Sequence, residues 1–141
     1  MHSPILAPVV AMVAWTIVMW LWMYARRIPA MRAAGIDAAT KVGGTGADLR
    51  AVLPDRVQWI ADNYNHLHEQ PTIFYAIAIV HALLGTGFGF NLWLAWGYVA
   101  LRVAHSLVQS INNRVIVRFS LFALAELCLI ALTLHAAMAL F

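Results

Sequence analysis

Charge is scarce in this chain of 141 residues, because Asp, Glu, Lys and Arg make up only 11% of it while hydrophobic residues make up 63%. A soluble globular domain carries roughly 25% charged residues, so the polar surface here is too small to face water on every side. Cysteine is almost absent as well, and the single Cys128 excludes an intrachain disulfide. These shortages predict one integral membrane domain over residues 1–141.

The distribution of the few charges predicts the topology. The apolar run 5–24 holds no charged residue and has about the 20 residues that cross a bilayer as a helix. No Lys or Arg precedes the run and two Arg follow it, a pattern typical of a permanent anchor rather than a signal peptide. By the positive-inside rule, we expect loops 28–54 and 112–115 in the cytoplasm, both termini on the other side, and no nucleic-acid partner. The basic residues concerned are Arg26, Arg27, Arg32, Lys41, Arg50, Arg56, Arg114 and Arg118.

Apolar runs and helix breakers predict an all-α fold of four transmembrane helices in an up-down bundle. The expected helices are residues 6–27, 55–84, 92–112 and 115–140. The second is long for one span, so its first turns should project into the cytoplasm. The loop 28–54 is rich in small residues and Gly, which favours irregular structure. Its Gly-Gly-Thr-Gly run lacks the Gly-Lys-Ser/Thr ending of a phosphate-binding loop.

Three ionisable residues fall inside predicted spans, where charge is costly and faces a partner or a cavity. From the rise of about 1.5 Å per residue, Arg102 and Glu126 lie on the order of 18 Å from the cytoplasmic ends of their helices. Glu69 lies at a comparable level. The three could form an internal ion-pair network that holds the bundle together, or a polar pocket that opens from the cytoplasm.

Two polar stripes run along the helices beside this layer. Residues three and four apart share a helix face, which aligns the polar groups of the second and third spans. Facing stripes with arginines at two depths would suit an anionic, water-soluble ligand, and Arg118 lies near the cytoplasmic end. The stripes are Asp62, Asn65, His66 and Glu69 on one helix, and Arg102, His105 and Gln109 on the next.

Six histidines raise the question of a metal or haem site. His66 and His68 point to different helix faces, which is poor for joint ligation. His81 and His105 could in principle face each other as axial haem ligands, but no other residue pattern supports this. We therefore expect no metal.

At this point the polar residues resemble a known family, the membrane-associated proteins in eicosanoid and glutathione metabolism (MAPEG), over almost the whole chain. The likeness rests on Arg56, on the segment 63–71 (NYNHLHEQP) of the second helix, and on Arg102-Val-Ala-His105 followed by Arg114 and Arg118. The four spans and the long first cytoplasmic loop agree with the family layout.

The resemblance implies a homotrimer with sites at subunit interfaces, where glutathione is the co-substrate and a lipophilic small molecule arrives from the membrane lipids. It implies that Arg118 activates the glutathione sulfur, since a cation lowers the pKa of a thiol and the thiolate is the nucleophile. The expected function is a glutathione-dependent transferase or peroxidase. Carried onto this chain, the glutathione-binding residues would be Arg56, Asn65, Glu69, Arg102, His105, Gln109 and Arg114.

The chain also departs from the better-known enzymes of this family. Asn65 and Glu69 are four apart instead of three, Pro71 follows Glu69 closely, and Gln109 stands where glutathione-using members often carry Tyr. These departures indicate a bacterial branch of the family. We therefore expect the protein in the bacterial inner membrane, with both termini in the periplasm. The alternative is a non-catalytic membrane subunit or a lipid-binding protein on the same scaffold. A transporter is disfavoured, because the sequence shows no inverted repeat and no broken helix.

Overall fold

The computed structural model describes residues 2–37 and 39–141, and all regular structure in these residues is helical. The predicted all-α class is therefore confirmed. The last two helices agree with their predicted bounds to within two residues, whereas the first two do not. The elements are α1 (Leu6–Ala33), a 3₁₀ helix (Gly46–Ala51), α2 (Asp55–His66), α3 (Gln70–Leu83), α4 (Phe90–Ile111) and α5 (Val115–Leu140).

Two helices, α1 and α5, are long and apolar enough to cross a membrane. Only 22% of the apolar window of α1 and 17% of that of α5 is buried inside the subunit. Most of their apolar surface therefore faces outward, as it does where lipid or another subunit covers it.

The sequence predicted one continuous helix over 55–84, and the structure instead divides it into α2 and α3 at residues 67–69. Pro71 explains the break. It lacks the N–H that would bond to the Leu67 carbonyl, and its ring would clash with that carbonyl in a continuous helix. It is tolerated as the second residue of α3, where the N–H would have no partner anyway. The broken helix, which the sequence reasoning did not foresee, brings irregular backbone to the middle of the bundle.

Helix α1 runs past the predicted end at Arg27 to Ala33, with Pro29 inside it. The loop that follows is more ordered than its Gly content suggested. Its 3₁₀ helix begins with a capping box between Thr45 and Asp48, and the two hydrogen bonds from Thr45 lower the pKa of the Asp48 carboxyl. Arg27 donates to the Gly46 carbonyl at 2.8 Å, which ties this loop to the end of α1.

The core lies between the five α-helices, and α2 contributes Ile60 and Ala61 to it. A stripe of Met12, Met19 and Met23 is the buried face of α1. At the centre Phe74 of α3 stacks on Tyr98 of α4, with ring centroids 4.3 Å apart and both side chains fully buried. Such an aromatic pair contributes about 0.5–1.5 kcal/mol beyond the area it buries. It fixes α3 against α4 directly above the helix break.

The N-terminal segment docks on the turn between α3 and α4. Ile5 is fully buried, and its N–H donates to the Gly87 carbonyl at 3.1 Å. A Cβ at residue 87 would lie 2.3 Å from Ser3 Oγ and 2.6 Å from Ile5 Cγ2. Only glycine leaves room for this close approach.

Candidate functional site

A cavity of about 210 Å³ opens beside the helix break, between α2, α4 and the start of α5. His66 from the last turn of α2 and His105 from α4 face each other there, with ring centroids 5.3 Å apart. Phe122 of α5 stacks on His66 at 5.5 Å, and Arg118 lies one turn nearer the start of that helix. The lining therefore joins one permanent cation to two imidazoles and aromatic walls, and it contains no carboxylate. It consists of His66, His105, Val115, Arg118, Phe119 and Phe122.

The guanidinium of Arg118 is held by the turn before α5. Its Nη1 donates to Asn113 Oδ1 at 2.6 Å. Asn113 has a φ of 51°, a left-handed conformation that Asn adopts more readily than most residues. The turn thus sets the Asn113 side chain, and that side chain in turn positions half-buried Arg118 at the cavity.

Arg102 lies deeper, on the inner side of Phe122. It is fully buried, and its Nη2 donates to the His66 carbonyl at 3.3 Å. Its guanidinium carbon lies 5.6 Å from the centroid of the Phe122 ring, within the range of a cation–π contact. Nε and Nη1 have no hydrogen-bond partner among the described residues. Two donor nitrogens of a buried cation are therefore unpartnered in the described residues, and the guanidinium contacts two residues that line the cavity, His66 and Phe122.

The three ionisable residues predicted to meet in one layer do not pair with one another in the described part of the chain. Glu69 instead contacts Nδ1 of His66 at 2.5 Å. Glu126 accepts a hydrogen bond from Gln70 Nε2, and Tyr98 donates to Oε1 of the same Gln70. The helix break is the reason, because it turns Glu69 outward and puts the Gln70 amide in the place facing Glu126.

Not all the predicted ligand residues share the cavity. His105 and Arg118 line it, Glu69 touches it through His66, and Arg102 borders it. Asn65 instead faces the 3₁₀ helix in a separate cavity with Asp62, and Arg56 faces α1 and the end of α4. Gln109 is buried one turn below His105, with Oε1 unpartnered in the described residues. Arg114 is exposed just before α5.

Sequence reasoning missed the aromatic and amide residues of the site. Phe119 and Phe122 are spaced three apart and follow Arg118 directly, a signal that was readable but looks like ordinary apolar helix. Asn113 gave no signal, because its role depends on a positive φ. The role of Gln70 was missed because the sequence reasoning assumed one continuous helix across residues 67–69.

Both ring nitrogens of His81 already have hydrogen-bond partners. His81, considered above as an axial haem ligand, donates from Nε2 to the Leu132 carbonyl at 2.9 Å and contacts Thr86 Oγ1 through Nδ1 at 2.7 Å. Nε2 thus joins α3 to α5, and Nδ1 joins α3 to the turn that precedes α4. Among the described residues no three His, Cys, Asp or Glu side chains form a group that could hold a metal ion.

With this geometry described, comparison with known proteins gives one match. The model of the MAPEG family matches residues 5–138. The chain belongs to the MAPEG family. No curated protein and no solved structure matches it significantly.

Membership of the MAPEG family, together with the two membrane-capable helices, makes this a membrane protein. The family includes glutathione transferases and peroxidases. The lining of the cavity favours an anion, because Arg118 supplies a cation and no carboxylate of the described residues lines it.

Proposed function

We propose that this MAPEG protein is a glutathione-dependent transferase or peroxidase that acts on a lipophilic electrophile. It would work as a homotrimer of four-span subunits in a bacterial inner membrane. The observation that carries the proposal is the cavity in which Arg118 stands beside His66, His105 and an aromatic wall without a carboxylate. Among the described residues Arg118 forms no salt bridge, and its one side-chain hydrogen bond goes to the neutral amide oxygen of Asn113.

Glutathione would supply a thiol that attacks as its thiolate. The contribution of this chain is electrostatic. Arg118 lowers the pKa of a thiol beside it and holds the resulting anion, while the walls of Phe119 and Phe122 limit water and so strengthen that attraction. His105 and the free donors of Arg102 would orient the carboxylates of the peptide.

The outer rim of the cavity is open to apolar molecules. Val115 and Phe119 line it and are 69% and 64% exposed in the subunit, and both belong to a membrane-capable helix. A lipophilic substrate could therefore reach the cavity from the bilayer, while the ionic co-substrate approaches from the cytoplasmic end near Arg118.

Purified protein in detergent should bind glutathione and conjugate it to a generic electrophile such as chlorodinitrobenzene. Arg118→Ala should lower turnover at pH 7 by roughly 10- to 30-fold, because a free thiol of pKa about 8.5 is already about 3% ionised at that pH and a cation that lowers this pKa by 1–3 units brings the ionised share close to completion. The loss should shrink as pH rises, because the uncatalysed thiol then ionises by itself. Arg118→Lys should keep part of the activity, and the exposed Arg32→Ala is the matched control. Absence of glutathione binding at millimolar concentration would rule the proposal out.

One observation favours a second candidate, a non-catalytic subunit or lipid-binding protein. The bond from buried Arg102 to the His66 carbonyl holds the broken helix against α4, which is a structural role. On that reading Arg102→Leu would collapse the oligomer while Arg118→Ala would change nothing.

A further inference from the structure

A second basic cavity, of about 230 Å³, lies between α1, α2 and the end of α4. Arg26 comes from α1 and Arg56 from the first turn of α2, so two helices each supply one guanidinium. Neither forms a salt bridge or a side-chain hydrogen bond within the described residues, and no carboxylate lines the cavity. Two cations facing one space repel each other unless an anion lies between them.

A buried hydroxyl also lines this cavity. Ser110 is 5% exposed, and its Oγ has no partner among the described residues. Buried hydroxyls are normally hydrogen-bonded, so a ligand oxygen at this place would satisfy a group that the subunit leaves unpaired. Arginine guanidinium with a hydroxyl is a donor set typical of phosphate recognition.

The remaining lining shows what kind of phosphate fits. Trp22 precedes Arg26 by four residues and Ile60 follows Arg56 by four, so each lies on the same helix face as its Arg. Because α1 and α2 belong to helices of opposite direction, both arginines lie at one end of the cavity and both apolar side chains at the other. A cavity with a charged end and an apolar end matches a phospholipid. Its headgroup would lie between the two arginines, and the first carbons of its acyl chains would contact Trp22 and Ile60.

We propose that this cavity binds the phosphate of an anionic phospholipid. The site is separate from the Arg118 cavity and assigns Arg56 to a lipid of the cytoplasmic leaflet. Because Arg26 and Arg56 lie on consecutive helices joined by the long loop, the lipid would clamp the ends of that loop.

Native mass spectrometry of the detergent-solubilised protein tests the assignment. With phosphatidylglycerol added, we expect one retained lipid per chain, and none with phosphatidylcholine at equal concentration. The double variant Arg26→Gln/Arg56→Gln should weaken binding at least tenfold, and Ser110→Ala should weaken it to a smaller extent. The control Arg32→Gln/Lys41→Gln removes the same charge from positions outside this cavity and should keep the lipid.

Four outcomes would overturn the proposal. Equal loss of lipid in the control variant would mean that net charge alone attracts it. Full displacement by inorganic phosphate would assign the cavity to a free anion, and displacement by glutathione would assign it to the co-substrate. If the double variant does not fold, the single variants Arg26→Gln and Arg56→Gln decide, and an affinity unchanged in both would contradict the assignment.

Discussion

At the scale of single residues, Arg102 is a cation that is fully buried and only partly hydrogen-bonded. A fully buried guanidinium with two unpartnered donors destabilises a fold unless it meets an anion. Arg102→Met removes those donors and keeps the volume, at the loss of one long bond to the His66 carbonyl.

We expect Arg102→Met to leave the ligand-free stability within about 1 kcal/mol of the original, because the bond lost and the desolvation relieved are of similar size. The stabilisation by glutathione should fall sharply. Thermal midpoints with and without glutathione measure both quantities. A drop of several degrees in the ligand-free protein would instead support the structural role of Arg102.

Gly87 and Gly97 form a matched pair for a packing prediction. Gly87→Ala should destabilise by about 1–3 kcal/mol, since its Cβ would overlap Ser3 and Ile5. Gly97→Ala should be neutral or stabilising by up to about 1 kcal/mol, because its Cβ would meet only Cys128 Sγ at 3.7 Å and alanine favours a helix. Thermal unfolding in detergent compares the two, and an equal response would contradict the docking of the N-terminal segment.

At the scale of elements, the break between α2 and α3 decides which side chains reach the site. It exposes the His66 carbonyl to Arg102 and turns Glu69 toward the His66 ring. Its cause, Pro71, was visible in the sequence, but its effect was not, because apolar length alone favoured one long helix.

Pro71→Ala restores the missing N–H and should allow the helix to close across residues 67–69. A proline costs about 3 kcal/mol only in a helix interior, and Pro71 stands in the first turn of α3, so its removal should change the thermal midpoint little. Closing the helix rotates His66 and Glu69 relative to Arg118, and glutathione turnover should fall at the same time. Pro54→Ala, before the first residue of α2, is the control and should leave turnover unchanged. Unaltered turnover in Pro71→Ala would show that the break does not shape the site.

The elements also show how far sequence reasoning reaches. The positions of charged residues and the lengths of apolar runs predicted the bounds of α4 and α5, because both can be read directly from the order of residues in the sequence. They placed the end of α1 too early, because two arginines at a membrane surface do not end a helix. The depth of Arg102 was predictable, but its partner is a main-chain carbonyl exposed by a distant proline. Likewise, the sequence alone does not tell that Arg56 and Arg118 belong to different cavities. The fold places Arg56 against α1 and the end of α4, and Arg118 against α2 and the middle of α4.

At the scale of the whole molecule, α1 and α5 leave most of their apolar surface uncovered in one subunit. This surface is more than a water-soluble protein exposes in one patch, and it supports assembly within a membrane. The proposed homotrimer should have three times the chain mass of 15.6 kDa after subtraction of bound detergent. Light scattering coupled to size exclusion measures that mass, and a monomer with full activity would rule out a site shared between subunits.

The orientation can be tested with single cysteines in a Cys128→Ser background. Ser3→Cys should react with a membrane-impermeant maleimide in intact spheroplasts, because the N-terminus is predicted to lie outside. Thr40→Cys, in the basic loop, should react only after lysis. The reverse labelling pattern would invert the topology and with it the side from which glutathione approaches.

The docking of Ile5 beneath Gly87 has a consequence for how the protein is made. In the predicted topology, α1 enters the bilayer during synthesis, before the turn between α3 and α4 has been translated and moved across. Until then, α1 lies in lipid without the turn on which the N-terminal segment docks. The methionines that α1 buries in the folded subunit are as compatible with acyl chains as with a protein core. We therefore expect α1 to be stable in lipid before docking, and the contact of Ile5 with Gly87 to form among the last steps of biogenesis.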